Sequence, residues 1–186
     1  DGVRRYCLNS TRFDGLGDGN EVRVTGAELL MRMYGALKLH GDAEMLNFSG
    51  VAYCHRANDQ RDTHILLAPA VMRVRGGPFE VDTGGLRPRS EAERVVDLAE
   101  GDNNVADALT HFARSNDWYD IYKIFEVIRL DIGSEDALIA KGWLTKASIQ
   151  GLRQTANFYR HARALRPKCP LTHQEAVAIT RALMRA

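Results

Sequence analysis

"EVRVTGAELLMRMYGALKLHG", Glu21 to Gly41, is the stretch whose reading decides the fold class. Val22 and Val24 alternate with the charged Glu21 and Arg23, the period of a half-buried strand. Thr25 and Glu28 then stand at the spacing of a capping box, in which each side chain satisfies a free backbone donor at a helix start. This spacing predicts a strand, then a helix that buries Leu30, Met33, Tyr34 and Leu37 and ends at Gly41. Two extended segments follow, about residues 45–56 and 63–75, joined by the polar "ANDQRD", which suggests a hairpin. "PFEVDTGG" (78–85) adds a short strand, and "LRPRS" (86–90) closes the half. The expectation is therefore α+β: a small N-terminal antiparallel sheet with one helix.

Before Glu21, "FDGLGDGN" (13–20) is rich in turn formers. A phosphate-cradling glycine loop has a strand before it and a helix directly after. With a strand expected next, "FDGLGDGN" reads as a plain turn, and residues 1–19 as a flexible N-terminal segment.

From Ser90 the pattern is helical. Ser90 with Glu93, and Thr172 with Glu175, repeat the capping-box spacing. Helices are expected near 90–100, 104–115, 117–132, 134–141, 145–165 and 172–185, with Gly101 and Gly133 at C-terminal caps. The change of period near residue 88 gives three parts: 1–19, an α+β part over 20–88, and a C-terminal helical bundle over 89–186.

Composition bounds function only loosely. The chain has 186 residues and a formal net charge of +1, so total charge selects no class of partner. Cys7, Cys54 and Cys169 are far apart and form no CxxC pair, which argues against a disulfide framework or zinc knuckle and suggests a reducing cytoplasm. The apolar run from Ile65 to Met72 is broken by Pro69 and falls short of the ~20 residues that cross a bilayer. Residue 1 is Asp rather than Met, which leaves open whether a segment precedes it.

The near-neutral total hides two blocks of opposite sign. Residues 90–136 carry an excess of Asp and Glu over Arg94, Arg114, Lys123 and Arg129. From residue 153 onward, Arg153, Arg160, Arg163, Arg166, Lys168, Arg181 and Arg185 face only Glu175. Such blocks either pair or stay solvated, or the basic one offers a surface to a phosphate-bearing or acidic partner.

The basic block opens with "LRQTANFYRHAR" (152–163). On a helix at ~100° per residue, with Ile149 at zero, Arg160, Arg153, Asn157, His161 and Gln154 fall at roughly 20°, 40°, 80°, 120° and 140°. The arc combines a base, fixed cations and an amide, a set suited to anion binding or to acid–base chemistry on a phosphodiester. It is equally what a half-buried helix turns to water. The candidate catalytic residues are Arg153 and His161, and the candidate binding residues Asn157, Arg160 and Arg163; no cofactor or metal is expected. His55 and His64, beside Cys54, are too few for a zinc site, which takes three or four convergent ligands. Trp118, Ile121, Tyr122, Phe125, Ile128 and Ile132 follow helical spacing and are expected in the core; Tyr122 and Glu126 share a face that supports a neighbouring site.

The order "DWYDIYKIFEVI" (117–128), "ALIAKGW" (137–143), "QTANFYRHAR" (154–163) and "PLTHQEA" (170–176) resembles a group of uncharacterised bacterial proteins over roughly residues 105–185. The helical part is also similar to the HEPN superfamily, small helical domains that include many RNA-cleaving toxins. Their motif is Arg, a polar residue, four to six residues, then His. Here Arg153 and Gln154, then six residues, then His161 match that length, with Gln where Asn, Asp or His is usual. That resemblance implies a metal-independent RNase pair of Arg153 and His161, assisted by Asn157 or Arg160. The expected partners are RNA or a nucleotide, or alternatively an acidic protein docked on the basic helices by a non-enzymatic scaffold; no membrane is expected, and a homodimer is compatible with the chain.

Overall fold

Glu21 to Gly41 is not a strand followed by a helix. In a computed structural model, which describes residues 8, 10–41, 51–52, 63–64, 89–161 and 165–186, one helix, α1, runs over Gly19–His40. Val22 and Leu29 are buried along it, as are Ala36 and Leu39. Val22, Gly26, Leu29, Met33 and Ala36 are spaced alternately by four and three residues, one continuous helical stripe. The Val22–Val24 alternation covers too few residues to outweigh it: Val22 is buried and Val24 is exposed, as two positions about 200° apart on a helix would be. The capping residues Thr25 and Glu28 lie inside the helix, which starts six residues before Thr25. At the other end the Gly41 N–H closes on the Leu37 carbonyl at 2.9 Å, where a stop was expected.

This overturns the α+β expectation: the fold is a helical bundle. Strand pairing among the described residues is confined to a two-residue antiparallel ladder, Val51 opposite His64 and Ala52 opposite Thr63. The rest of the expected hairpin, the "PFEVDTGG" strand and the Cys54–His55 pair lie outside the described residues. The chain divides into two compact units, Asp1–Met31 with Glu44–Val81, and Arg32–Ala43 with Asp82–Ala186. The first holds a 3-10 turn at Thr11–Phe13, the start of α1 and the short ladder. The second holds the end of α1 and six further helices.

Those six follow the sequence closely: α2 Glu91–Gly101, α3 Asn103–Ala113, α4 Trp118–Ile132, α5 Glu135–Ala140, α6 Lys146–Arg160 and α7 His173–Met184. Both C-terminal capping boxes form, Ser90 with Glu93 and Thr172 with Glu175. Asp102 ends α2 and caps α3, accepting from the N–H groups of Asn104 and Val105. Gly133 ends α4 at φ 99°, a conformation that glycine adopts without a Cβ penalty.

Helix α4 is the centre of the second unit and touches α3, α5, α6 and α7. Ile121 and Phe125 join Leu138, Leu144, Ile149, Leu152, Ala176 and Leu183 in one core. Ile124 points into another with Leu39 and Phe112. A third cluster seats α1 on α2 and α3 through Ala36, Ala99, Ala106 and Leu109. There α1 approaches α3 at Gly35, where a Cβ would lie 2.2 Å from the Leu109 carbonyl oxygen. Polar ties finish this corner. Lys38 donates to Ser115 Oγ at 3.0 Å, and Arg185 donates to the Leu39 carbonyl. Burial, with Arg181 nearby, holds the Lys38 pKa below the ordinary lysine value. Among the described residues no helix is long and apolar enough to cross a membrane.

Two outcomes follow for stability. Gly35→Ala places its Cβ against backbone rather than a yielding side chain, so overpacking should cost at least the usual ~1–3 kcal/mol. A thermal melt showing wild-type stability would mean that α1 does not sit this close to α3. Phe125, 1% exposed, should cost ~3–5 kcal/mol when replaced by Ala. At about 2–4 °C per kcal/mol for a chain of this size, the midpoint should drop by roughly 6–20 °C. An unchanged midpoint would contradict its place in the core.

Candidate functional site

Helix α6 does not present the expected arc intact. Thr145 caps its start, accepting from the Ser148 N–H at 3.1 Å, and Ile149, Leu152, Thr155 and Ala156 are buried. The helix ends at Arg160, five residues before the expected end. His161 is the C-cap, in an extended conformation at φ −127°, with its N–H donating to the Asn157 carbonyl. It is exposed, and its side chain no longer follows the helical angle that placed it beside Arg153. Asn157 is exposed on the last turn. Arg153 and Arg160 are two turns apart, ~10 Å along the axis. Arg153 is held by Glu135 at the start of α5, at 3.0 and 3.3 Å to the two carboxylate oxygens. Arg163 lies outside the described residues. Each arginine of α6 thus has its own partner, and among the described residues no hydrogen bond joins Arg153 to His161.

Arg160 has the more informative surroundings. Near 20° on the wheel it borders the buried stripe, so its long stem packs against α4 instead of extending into water. Its guanidinium lies over two α4 rings, 4.7 Å from the Tyr122 centroid and 5.4 Å from that of Tyr119. A cation at these distances is attracted to the negative face of the ring. Tyr122 is half-buried, whereas Tyr119 is 49% exposed. Lys123 lies 5.8 Å over the same Tyr119 ring and is bonded to Glu126 at 2.7 Å. The Glu126 hydrogen bond, and then its charge, raise the Lys123 pKa above the ordinary lysine value, so the ammonium stays charged at neutral pH.

Next to this group is a second aromatic one. Trp118 and Tyr159 stack with centroids 5.0 Å apart and planes 5° from parallel. His173, the first residue of α7, meets Trp118 edge-on at 5.9 Å. Phe158 meets the Tyr159 ring edge-on at 5.0 Å, and Tyr159 is still 55% exposed.

Against Tyr119 is also a pair that the sequence did not suggest. His111 Nδ1 lies 2.7 Å from Asp120 Oδ1, and the imidazole meets the Tyr119 ring at 6.4 Å. Asp120 is buried, and its backbone N–H is capped by Asp117 at 2.9 Å. One exposed tyrosine ring thus adjoins a histidine–aspartate pair, a lysine and an arginine. A sequence signal for part of this exists: Tyr119, Tyr122, Lys123 and Glu126 sit at i, i+3, i+4 and i+7, a polar-aromatic stripe opposite the apolar one. Nothing in the sequence says that α3 and α6 bring His111 and Arg160 to it. Among the described residues no group of three His, Cys, Asp or Glu is placed to hold a metal ion.

Comparison of the chain with family models, with curated proteins and with solved structures finds no match.

Proposed function

We propose that the protein is a helical RNA-binding domain whose ligand, a single strand, lies on the seam of α4 and α6. The carrying observation is the Arg160 guanidinium over Tyr119 and Tyr122, beside the stacked and exposed Tyr159. Single strands are bound by exposed aromatic rings on which bases stack, next to cations that follow the phosphates. Tyr159 is the ring; Arg160 and Lys123, both held over Tyr119, are the cations. Arginine over an aromatic face also keeps N–H donors at its edge for a phosphate oxygen. The basic residues Arg166 and Lys168, exposed beyond α6, extend the positive side.

Two features separate this reading from the alternatives expected of the sequence. An RNase pair of Arg153 and His161 would need the two side chains at one phosphate, but Arg153 is engaged by Glu135 and His161 is the C-cap beyond the end of α6. A face for an acidic protein would draw on the basic block as a whole, but Arg153 is paired and Arg181 lies over Phe112. Binding through aromatic rings and Arg160 uses groups already assembled on one surface.

The test is fluorescence anisotropy with a labelled oligouridylate. Affinity should fall steeply as salt rises from about 50 to 200 mM, with a logarithmic slope of about −0.7 per neutralised phosphate. Tyr159→Ala should remove one stacked base, worth ~1–3 kcal/mol, or about 5–150-fold in affinity. Arg160→Ala should weaken binding and flatten the salt slope. No binding at low salt, or binding indifferent to both substitutions, overturns the reading.

A further inference from the structure

We infer that His111 is a general base placed to cleave the bound strand at a ribonucleotide, with Asp120 as its positioning residue and Arg160 and Lys123 as its charge stabilisers. The inference rests on the RNA-binding reading of this face and adds chemistry to it. It begins with the geometry of the pair. Asp120 is 7% exposed, on the first turn of α4, and its carboxylate meets His111 Nδ1 at 2.7 Å. With Asp120 as a carboxylate, the hydrogen in that bond belongs to Nδ1, which leaves the lone pair on Nε2. The His111 ring makes no second hydrogen bond among the described residues, and its side chain is 23% exposed. A strut between α3 and α4 would need only the Nδ1 contact. The arrangement instead fixes one tautomer, as a carboxylate does for a catalytic imidazole, and leaves Nε2 without a hydrogen-bond partner among the described residues, on a partly exposed side chain.

The surroundings suit a phosphodiester. Charge grows on the non-bridging oxygens as the phosphorus becomes five-coordinate, and fixed cations stabilise it. Arg160 and Lys123 both lie over the Tyr119 ring, and His111 meets that same ring. A strand whose base stacks on Tyr159, next to Arg160, would bring a ribose and its 3′-phosphate to these three side chains around Tyr119. His111 Nε2 takes the proton of the ribose 2′-hydroxyl, and the 2′-oxygen forms a bond to phosphorus. The bond from phosphorus to the 5′-oxygen of the next nucleotide breaks, and the leaving oxygen takes a proton from water. His111 passes its proton to water. The products are a 2′,3′-cyclic phosphate and a 5′-hydroxyl, with no net change in protons and no metal or redox partner.

The experiment uses the full chain in EDTA with two probes: an oligonucleotide that is 2′-deoxy at every position but one uridine, and its all-2′-deoxy counterpart. The first should be cut on the 3′ side of the uridine, leaving a cyclic phosphate, and the second should bind without being cut. His111→Gln should lower kcat by the ~10²–10⁴-fold typical of general-base loss, with affinity for the uncleavable probe unchanged. Asp120→Asn should lower kcat while KM stays put, a split that a merely structural role would not produce. Should either variant melt below the assay temperature, carbethoxylation of the wild type replaces it. Loss of cleavage should then track modification of His111, read by peptide mass, and the uncleavable probe should protect that residue. Binding of both probes without cleavage overturns the inference and leaves the RNA-binding reading standing. Cleavage that persists in folded His111→Gln, or with His111 fully modified, also overturns it. Failure to bind either probe overturns both.

Discussion

The second unit depends on one constraint: α4 must be buried along two faces at once. Ile121 and Phe125 face the helices that follow in sequence, α5 to α7, while Ile124 faces Phe112 of α3 and Leu39 of α1. An α-helix packed on two sides has only a narrow arc left for water, and on α4 that arc contains Tyr119, Tyr122, Lys123 and Glu126. The chemistry-bearing groups are therefore on the most firmly held helix of the unit. Their partners come from the helices on either side: His111 from α3, Arg160 and Tyr159 from α6, and His173 from α7. Sites built on rigid elements keep their geometry better than sites on loops.

The same packing explains why polar groups at this seam are tolerated. Burying a carboxylate is costly unless it is hydrogen-bonded. Asp120 has His111 for its side chain, while the Asp117 cap satisfies its backbone N–H. Arg160 is half-buried with its stem against α4 and its charge over two rings, a weakly hydrated cation in a setting suited to it. Thr155, fully buried on α6, accepts from the Leu171 N–H at 3.0 Å and so ties the segment before α7 to the same helix. Apart from the Asp117 cap, each of these contacts joins two elements, so the seam is a product of tertiary packing and not of any single helix.

That is also why the sequence made the helices legible and left the site mostly hidden. Caps and periodicity are local, and Ser90–Glu93, Thr172–Glu175 and Gly133 mark helix ends directly. The stripe from Trp118 to Ile132 predicts burial for the same reason, and Phe125 lies in the core. The error over Glu21–Gly41 arose where two local signals conflicted. A three-residue alternation and a capping spacing outweighed a longer stripe interrupted by Gly26, a small residue that hydropathy does not count as apolar surface. Arg160 was visible as one of several arginines, but its selection over Arg153 depends on where α4 and α5 lie. His111 stands in a run that reads as ordinary amphipathic helix, and its aspartate is nine residues away on the next helix. No spacing rule within one helix connects them.

Helix α6 divides its polar residues by position along the axis. Arg153, near the middle of α6, faces the start of α5 and meets Glu135, an acid in the first turn of that helix. Glu135 sits where the helix dipole already favours negative charge, and the arginine adds to that hold. Arg160, two turns on, lies over the aromatic faces of α4, whose Glu126 is taken by Lys123, and among the described residues no carboxylate pairs with it. A carboxylate partner accepts from the guanidinium N–H groups and so competes with any incoming phosphate. A tyrosine face leaves the edge donors of the guanidinium available. Of the two arginines, the one without a carboxylate partner is thus the one able to take an external anion, and it is also the one beside the exposed rings and the histidine–aspartate pair. The division of α6 into an end paired with Glu135 and an end laid over the rings of α4 follows from which helix each arginine reaches.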